Sequence, residues 1–599
     1  MENMVFTAPM GIVLALVGVT VVLFLTEWLR VDVVAILVMV SLPLLGIMDG
    51  REAFGGLSSN AVMSIIAVII MGRGLDHTGV ISKLMGPLMR LAGRSQSRIL
   101  VLLAGTVAVI SSFMQNVGAA ALFLPAIRRL SRTSGIPVSQ LLMPVGFSAI
   151  LGGTMTLVGS SPLIMLNDLT RPFGLEPFGL FSVVPVGLAL VGTGIAYFII
   201  AGRFLLPNGK RGGVEGAEED IMCFYGDLGE LREMIAPWGL GEELRIQDLM
   251  DDYCIQVVGL SQKRGRDVLM PPDRVLRIAS GAVLAAFGTK EQFERLGRER
   301  KFRLKPVLDV FAERLSDDLS GVVEALVPPH SRFIGMTISD IRFRHNLLMS
   351  PLAVTRENET HYCGYLDMVI RAGDSILMHG AWESFHAMRP KRDILFVQSL
   401  DHDVLHPEKA SVALGAFMLS TVLVISTDLA LSVCLMTGAL AMIIGRVLTI
   451  DEAYRGVDWR TVFLLGGLIP LGVAMERTGA ASWVAGYLMA MLGTPPPWVF
   501  LFVVGALSTV FTLVVSNVGA VVLLVPLVVG MAQDIGLDPR LAALVVALAA
   551  SNSFLLPTHQ VNALYMGPGG YTSMDFVRAG LPLSILFLVV LTVTMSLLY

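Results

Sequence analysis

Two short polar motifs interrupt long apolar stretches of the chain: Gln115-Asn116-Val117-Gly118 and Ser516-Asn517-Val518-Gly519. An Asn side chain offers both an amide donor and a carbonyl acceptor, and Gly permits backbone angles that other residues avoid. Such motifs suit points where a helix breaks. A half-helix starting there presents its free N–H groups and positive dipole end to an anion, while freed carbonyls can coordinate a cation. Two further breaks, Gly159-Ser160-Ser161-Pro162 and Pro557-Thr558-His559-Gln560, would complete two clamps. Polar kinks also serve merely to pack helices, but four breaks arranged as two matched pairs favour a binding role.

The elements that must position these residues lie in a membrane. Of 599 residues 54% are hydrophobic and only 15% charged, with a mean hydropathy of +0.71, which a soluble chain of this size has no reason to show. The charges concentrate between about Asn208 and Lys409. A net charge of −4 offers nothing to nucleic acid. Cys223, Cys254, Cys363 and Cys434 have no metal-ligand spacing and suggest no disulfide framework, in keeping with a reducing cytoplasm. The apolar run from Pro9 to Leu25 lacks a basic start and leads into another span, so it reads as a retained helix and not a leader. No Gly-x-Ser-x-Gly elbow, His-Glu-x-x-His pair or phosphate-cradling loop suggests an enzyme.

A span needs roughly 20 mostly apolar residues. Candidates run near 10–27, 32–48, 61–79, 99–127, 138–166 and 180–206, then near 410–427, 430–446, 460–476, 498–530, 538–566 and 579–598. The two sets repeat each other. Gly56 to Gly79 aligns without gaps to Gly456 to Gly479, the Asn-Val-Gly-Ala cores match, and the two later breaks follow in order. Lys83, Arg90, Arg94 and Arg98 precede the broken segment 99–127, and Arg128, Arg129 and Arg132 follow it. Both its ends then face the cytoplasm, which makes it a re-entrant hairpin; the equivalent segment 498–530 has flanks poor in Lys and Arg and enters from outside. The expected fold is a polytopic α-helical membrane protein of two inverted repeats, each with a re-entrant helical hairpin, plus a soluble α+β insert. The expected domains are 1–206, with the repeat starting from about 30, a cytoplasmic insert 207–409, and 410–599. Asp76, His77, Glu476 and Arg477 read as interfacial helix ends, and Asp428 as a turn between spans; Asp168 could be a turn or a proton relay.

The Ser-Asn tips and the Gly-Ser-x-Pro and Pro-x-x-x-x-Asn breaks resemble the divalent anion–sodium symporters, citrate-transporter-like permeases that carry dicarboxylates, citrate or sulfate. The resemblance covers roughly 30–206 and 410–598. It implies two sodium ions and an elevator-like movement. The first sodium site would involve Ser111, Gln115, Asn116 and the backbone near Gly159, the second Thr512, Ser516, Asn517 and the backbone near Thr558. The anion would meet Asn116, Ser160, Ser161, Asn517, His559 and Gln560. Gln115 stands where the family usually has Ser, Val117 and Val518 where it has Thr, and Leu163 where an Asn closes the first break, so the second sodium site keeps more of the pattern. Losing hydroxyls points away from dicarboxylates towards a compact oxyanion such as sulfate, held by helix-end N–H groups.

Within the insert, the segments near 218–298 and 315–390 end alike, in "RIASGAVLAAFGTKEQF" and "VIRAGDSILMHGAWESF". They resemble the C-terminal lobes of potassium-conductance regulators (RCK-C, or TrkA-C). Such lobes imply a homodimer and a small ligand whose identity the sequence leaves open; a pure assembly module is the alternative. The expected protein is a sodium-coupled importer of a small divalent anion in the lipid of the inner (plasma) membrane, regulated by its cytoplasmic insert. A proton-coupled exchanger titrating at His559, and an anion-sensing receptor, are the alternatives.

Overall fold

The computed structural model describes residues 6–26, 28–80, 95–207, 228–238, 244–262, 267–305, 308–312, 314–315, 319–357, 359–389, 393–397, 406–493 and 495–598. The side chains of 129, 132–133 and 489–492 are not among those described. Lys83, Arg90 and Arg94, part of the basic run that suggested sidedness, lie outside these residues; Arg98 is exposed at the start of a helix. The chain divides into two compact units, Met1–Val214 with His406–Tyr599, and Glu215–Leu405.

The first unit is helical. Its first half holds α1 (Ala8–Thr26), α2 (Val31–Leu44), α3 (Gly50–Gly55), α4 (Asn60–His77), α5 (Gln96–Ser111), α6 (Asn116–Ser134), α7 (Leu142–Gly152), α8 (Ser161–Thr170) and α9 (Val184–Leu205). Its second half holds α10 (Ala410–Ser426), α11 (Leu431–Ile444), α12 (Ile450–Gly456), α13 (Trp459–Arg477), α14 (Ala480–Leu492), α15 (Pro497–Val514), α16 (Asn517–Asp534), α17 (Pro539–Ala549), α18 (Gln560–Gly569) and α19 (Ser573–Leu598), in which α14 alone has no counterpart among the described residues of the first half. Among the described residues, eight helical stretches are long and apolar enough to cross a membrane. Their outward faces carry Val22, Leu25, Ile200, Phe204, Ile425 and Val510, all largely exposed, as a lipid-facing surface requires.

Helices of the two halves interlock. α2 packs along α13 and α4 along α11. The approach is backbone-close: a Cβ on Gly56 would lie 2.0 Å from the Gly466 carbonyl oxygen, and one on Gly467 2.3 Å from that of Ala35. Small residues permit this contact between helices in lipid, where no hydrophobic drive assembles them. Polar ties reinforce it. Asn60 Oδ1 accepts from the Ser432 backbone N–H at 2.9 Å, capping the start of α11. Arg477, read as an interfacial helix end, is half exposed and makes a two-pronged pair with Glu52 of α3 at 2.5 and 2.9 Å. His77, in the corresponding place, is buried, with Nδ1 3.3 Å from the Val447 carbonyl and Nε2 3.9 Å from Glu452 of α12. These helix ends are therefore joints between halves. Asp428 lies in the turn between α10 and α11.

The second unit holds two five-stranded antiparallel sheets. Strands β1 (Glu230–Ile235), β2 (Gln256–Ser261), β3 (Val268–Leu269), β4 (Val283–Gly288) and β5 (Arg303–Leu304) form the order β3-β2-β4-β1-β5. Strands β6 (Ser320–Leu326), β7 (Met349–Arg356), β8 (Glu359–His361), β9 (Ser375–Ala381) and β10 (Leu395–Phe396) form β10-β6-β9-β7-β8, the same order read in reverse. Each sheet is bulged at one matching place, between Val257 and Gly259 and between Pro351 and Ala353. β2 and β4 are wholly buried, which is why they read as continuous apolar runs and not as alternating ones. Each long hairpin strand feeds a helix, Lys290–Arg300 after β4 and Trp382–Met388 after β9. The first is held by a reciprocal cap in which Thr289 and Gln292 satisfy each other's backbone N–H groups.

The lobes share a core of Val258, Phe287, Phe311, Leu352 and Leu377. Gln256 reaches across it, donating to the Tyr362 carbonyl at 2.9 Å and accepting from the Tyr365 hydroxyl at 2.8 Å. One expectation is overturned here: Cys254 and Cys363 form a disulfide, their Cα atoms 5.4 Å apart. They stand 109 residues apart in the chain, and only the pairing of two lobes brings them together, so their spacing could not reveal it. The argument from cysteine usage to a reducing compartment falls with it.

Candidate functional site

Four helices start at the four predicted breaks. α5 ends at Ser111 and α6 begins at Asn116; α15 ends at Val514 and α16 begins at Asn517. The other two breaks are longer than expected. Residues 153–160 separate α7 from α8, whose second residue is Pro162, and 550–559 separate α17 from α18. Proline fits the first turn because its missing N–H would have been unpaired there anyway. Across the halves, α18 packs on α6 and α8 on α16. Tyr565 of α18 donates to the Ala120 carbonyl of α6 at 2.7 Å, which joins the early turns of two break-derived helices.

The first tip is tied down by its own polar residues. Ser111 Oγ lies 2.7 Å from the Ala149 carbonyl in the last turn of α7 and 2.9 Å from Asn116 Oδ1. Thr156 Oγ1 donates to the Ser112 carbonyl. Gly153 makes the close fit possible, since a Cβ there would stand 2.5 Å from Asn116 Oδ1. Gly159 in turn rests on Gly153, whose carbonyl oxygen a Cβ would meet at 2.7 Å. Ser111, Asn116 and Gly159 are thus brought together. Gln115 precedes α6 half-buried without capping it, and the Ser160 hydroxyl is buried with no protein partner among the described residues.

At the second tip, Thr512 Oγ1 donates to the Ala550 carbonyl at 3.1 Å, and Ser516 Oγ accepts from the Gly519 N–H at 3.0 Å, capping α16. Asn517 is half-buried and makes no side-chain hydrogen bond among the described residues. His559 Nδ1 accepts from the Val561 N–H at 3.3 Å and caps α18. With Nδ1 accepting, the donor that a neutral ring has left to offer is Nε2. Ser161 is half-buried at the first residue of α8, while Thr558 and Gln560 are exposed beside the start of α18.

The structure adds residues to those read from the sequence. Asn552 is fully buried; its Nδ2 donates to Thr509 Oγ1 and to the Ser584 carbonyl, both at 3.2 Å, while its Oδ1 has no partner among the described residues. The hydroxyls of Ser551, Ser553 and Ser584 are likewise buried without partners among the described residues. Asn562 braces this break by donating to the Ser553 and Leu556 carbonyls at 3.0 and 3.1 Å. The polar triplet Ser551-Asn552-Ser553 within an apolar run was the available signal. Asp168, whose role the sequence left open, accepts from the Ala61 N–H at 2.7 Å and caps α4. Among the described residues no three His, Cys, Asp or Glu side chains gather as metal ligands. Chemically, the site offers helix N-termini for an anion and unpaired neutral oxygens for a hard cation.

Comparison with known proteins agrees with this architecture. The citrate transporter family matches residues 21–550. An uncharacterized transporter of Synechocystis sp. is 32% identical, over 98% of this chain and 96% of its own length. A putative sulfur deprivation response regulator of Chlamydomonas reinhardtii is 26% identical over 90% of this chain and 94% of its own length. Sodium/sulfate cotransporter 1 of the same alga is 22% identical over 60% of this chain and 42% of its own length. The chain belongs to the citrate transporter family and is a multi-span helical membrane transporter, not an enzyme.

Proposed function

We propose that the protein imports a small divalent anion, sulfate or a related oxyanion, together with sodium. The observation that carries this reading is the paired tips, at which α6, α8, α16 and α18 all begin beside polar side chains with unused hydrogen-bonding capacity. A sodium/sulfate cotransporter among the relatives supports both ion and substrate. The anion sits between Asn116, Ser160 and Ser161 on one side and Asn517, His559 and Gln560 on the other. One sodium lies near Ser111, Gln115, Asn116 and Gly159, and a second near Thr512, Ser516, Asn517 and Thr558. In this reading the two halves are inverted repeats, 1–206 and 410–599, moving as an elevator in the inner (plasma) membrane. The insert 207–409 is a cytoplasmic pair of RCK-C-like lobes that dimerises and regulates the transporter; the identical strand orders of its sheets support the pairing.

Uptake of labelled sulfate, succinate and citrate into proteoliposomes tests the proposal. Sulfate should accumulate under an inward sodium gradient and cease when choline replaces sodium at fixed pH. Sodium-independent uptake, or accumulation of the dicarboxylate alone, would overturn it.

His559→Gln separates sodium from proton coupling, because Gln retains a donor but cannot carry a proton. The expected result is sodium-driven uptake with affinity reduced about 2- to 10-fold, the net worth of one neutral hydrogen bond. Loss of accumulation with equilibrium exchange intact would transfer the coupling to His559.

A further inference from the structure

Between the two lobes of the insert lies a cavity of about 310 Å³. Val258 and Met270 of the first lobe and Leu319, Leu348 and Trp382 of the second give it apolar walls. Three ionisable groups line it as well: Arg314, Glu383 and His379. Among the described residues none of them has a charged partner. Arg314 uses one of its five N–H donors, on the Val268 carbonyl at 3.1 Å, and has no acidic partner among the described residues. Glu383 has neither an ion pair nor a hydrogen bond among them. Both stand exposed at the rim.

His379 sits deeper, only 6% exposed, with its ring 5.9 Å from that of Phe287 and no hydrogen bond to any described residue. Burial, and then the charge of nearby Arg344, push its imidazole down to about 4, so it offers one donor and one acceptor at neutral pH. Ser350, directly opposite it on β7, keeps a buried hydroxyl without a partner among the described residues. Buried polar groups normally find partners; of these two neighbours it is His379 that lines the cavity, so a ligand there can supply the partner its imidazole lacks among the described residues.

The charges choose among ligands. A simple anion attracted to Arg314 would meet Glu383, and a simple cation attracted to Glu383 would meet Arg314. Only a molecule carrying both charges satisfies both. The volume is at the small end of ligand sites, which begin at about 300 Å³. We propose that this cavity binds a small zwitterion, a free α-amino acid with an apolar side chain, its carboxylate on Arg314, its ammonium on Glu383 and its polar edge against His379. Binding here joins the two lobes and concerns the insert alone, so it stands or falls independently of what the membrane unit carries.

Equilibrium dialysis and thermal melting of the purified full-length protein provide the test. The probes are L-methionine and L-leucine, with 4-methylpentanoate carrying only the acid and 3-methylbutylamine only the amine. At least one amino acid should bind and raise the melting temperature, while the single-charge analogues bind at least about 10-fold more weakly. Glu383→Gln and Arg314→Gln, both at exposed positions, should melt like the parent without ligand and each lose at least about 10-fold in amino-acid affinity. The proposal is overturned if no amino acid binds. It is equally overturned if 4-methylpentanoate binds as tightly as L-leucine and Glu383→Gln leaves binding unchanged or tighter.

Discussion

Gly153→Val should reduce substrate uptake to on the order of one hundredth of the parent or less, the usual effect of displacing a ligating group by about 1 Å. The Cβ alone would fall 2.5 Å from Asn116 Oδ1 and 2.9 Å from Nδ2, so the amide must leave its place. That movement breaks the Ser111–Asn116 bond and opens the contact between the first tip and the break at 153–160. Overpacking typically costs about 1–3 kcal/mol, too little to unfold a core of this size, so the variant should still elute and melt as a folded protein. Gly105→Val is the control. Gly105 lies on α5, the same hairpin, with nothing within 4 Å of its added Cβ, and uptake should be unchanged. Normal uptake by Gly153→Val would show that the Asn116 amide takes no part in binding.

The tips were legible in the sequence because a polar pair inside an apolar run is costly and therefore conspicuous, and because Asn116 and Asn517 occur in matching contexts. The bounds of α1, α4, α9 and α13 followed from the same apolar runs, whereas the expected spans 138–166 and 538–566 each divide into two helices. Contacts made across the chain were not legible. Arg477 and His77 read as ordinary helix ends until α3 and α12, helices too short to register as spans, brought Glu52 and Glu452 to them. Nothing in the sequence says that Gly153, and not Gly159, is the glycine that meets the Asn116 amide. Asn552 is not legible as a break residue because the visible signal is Pro557, whereas the helix ends at Ala549. Cys254, Cys363, Arg314 and His379 acquire meaning only once two sheets of matching order face each other in one unit.

Asn517→Ala should abolish uptake while leaving stability almost untouched, and that combination makes it the sharper of the two tests. At the first tip the corresponding change is ambiguous, since Asn116 Oδ1 accepts from Ser111 and its loss would also loosen the tip. At the second tip the structural work is done by the preceding residue. Ser516 Oγ takes the Gly519 N–H and Thr512 holds the Ala550 carbonyl, while the Asn517 amide has no hydrogen bond among the described residues. Alanine is also the better helix former, by up to about 0.7 kcal/mol in a helix interior. The melting temperature should therefore stay level or rise slightly. What disappears is a half-buried donor and acceptor at the start of α16, where the helix dipole already favours an anion and where the second sodium would need neutral oxygens. Sodium-driven accumulation should fall to the level of empty liposomes, and sodium, expected to raise the melting temperature of the parent, should leave that of the variant unchanged. An Asn517→Ala protein that accumulates substrate at the parent rate would remove the second tip from the site. One that loses uptake but melts well below the parent would mean that the amide supports the fold, and the binding role assigned to it would have to be withdrawn.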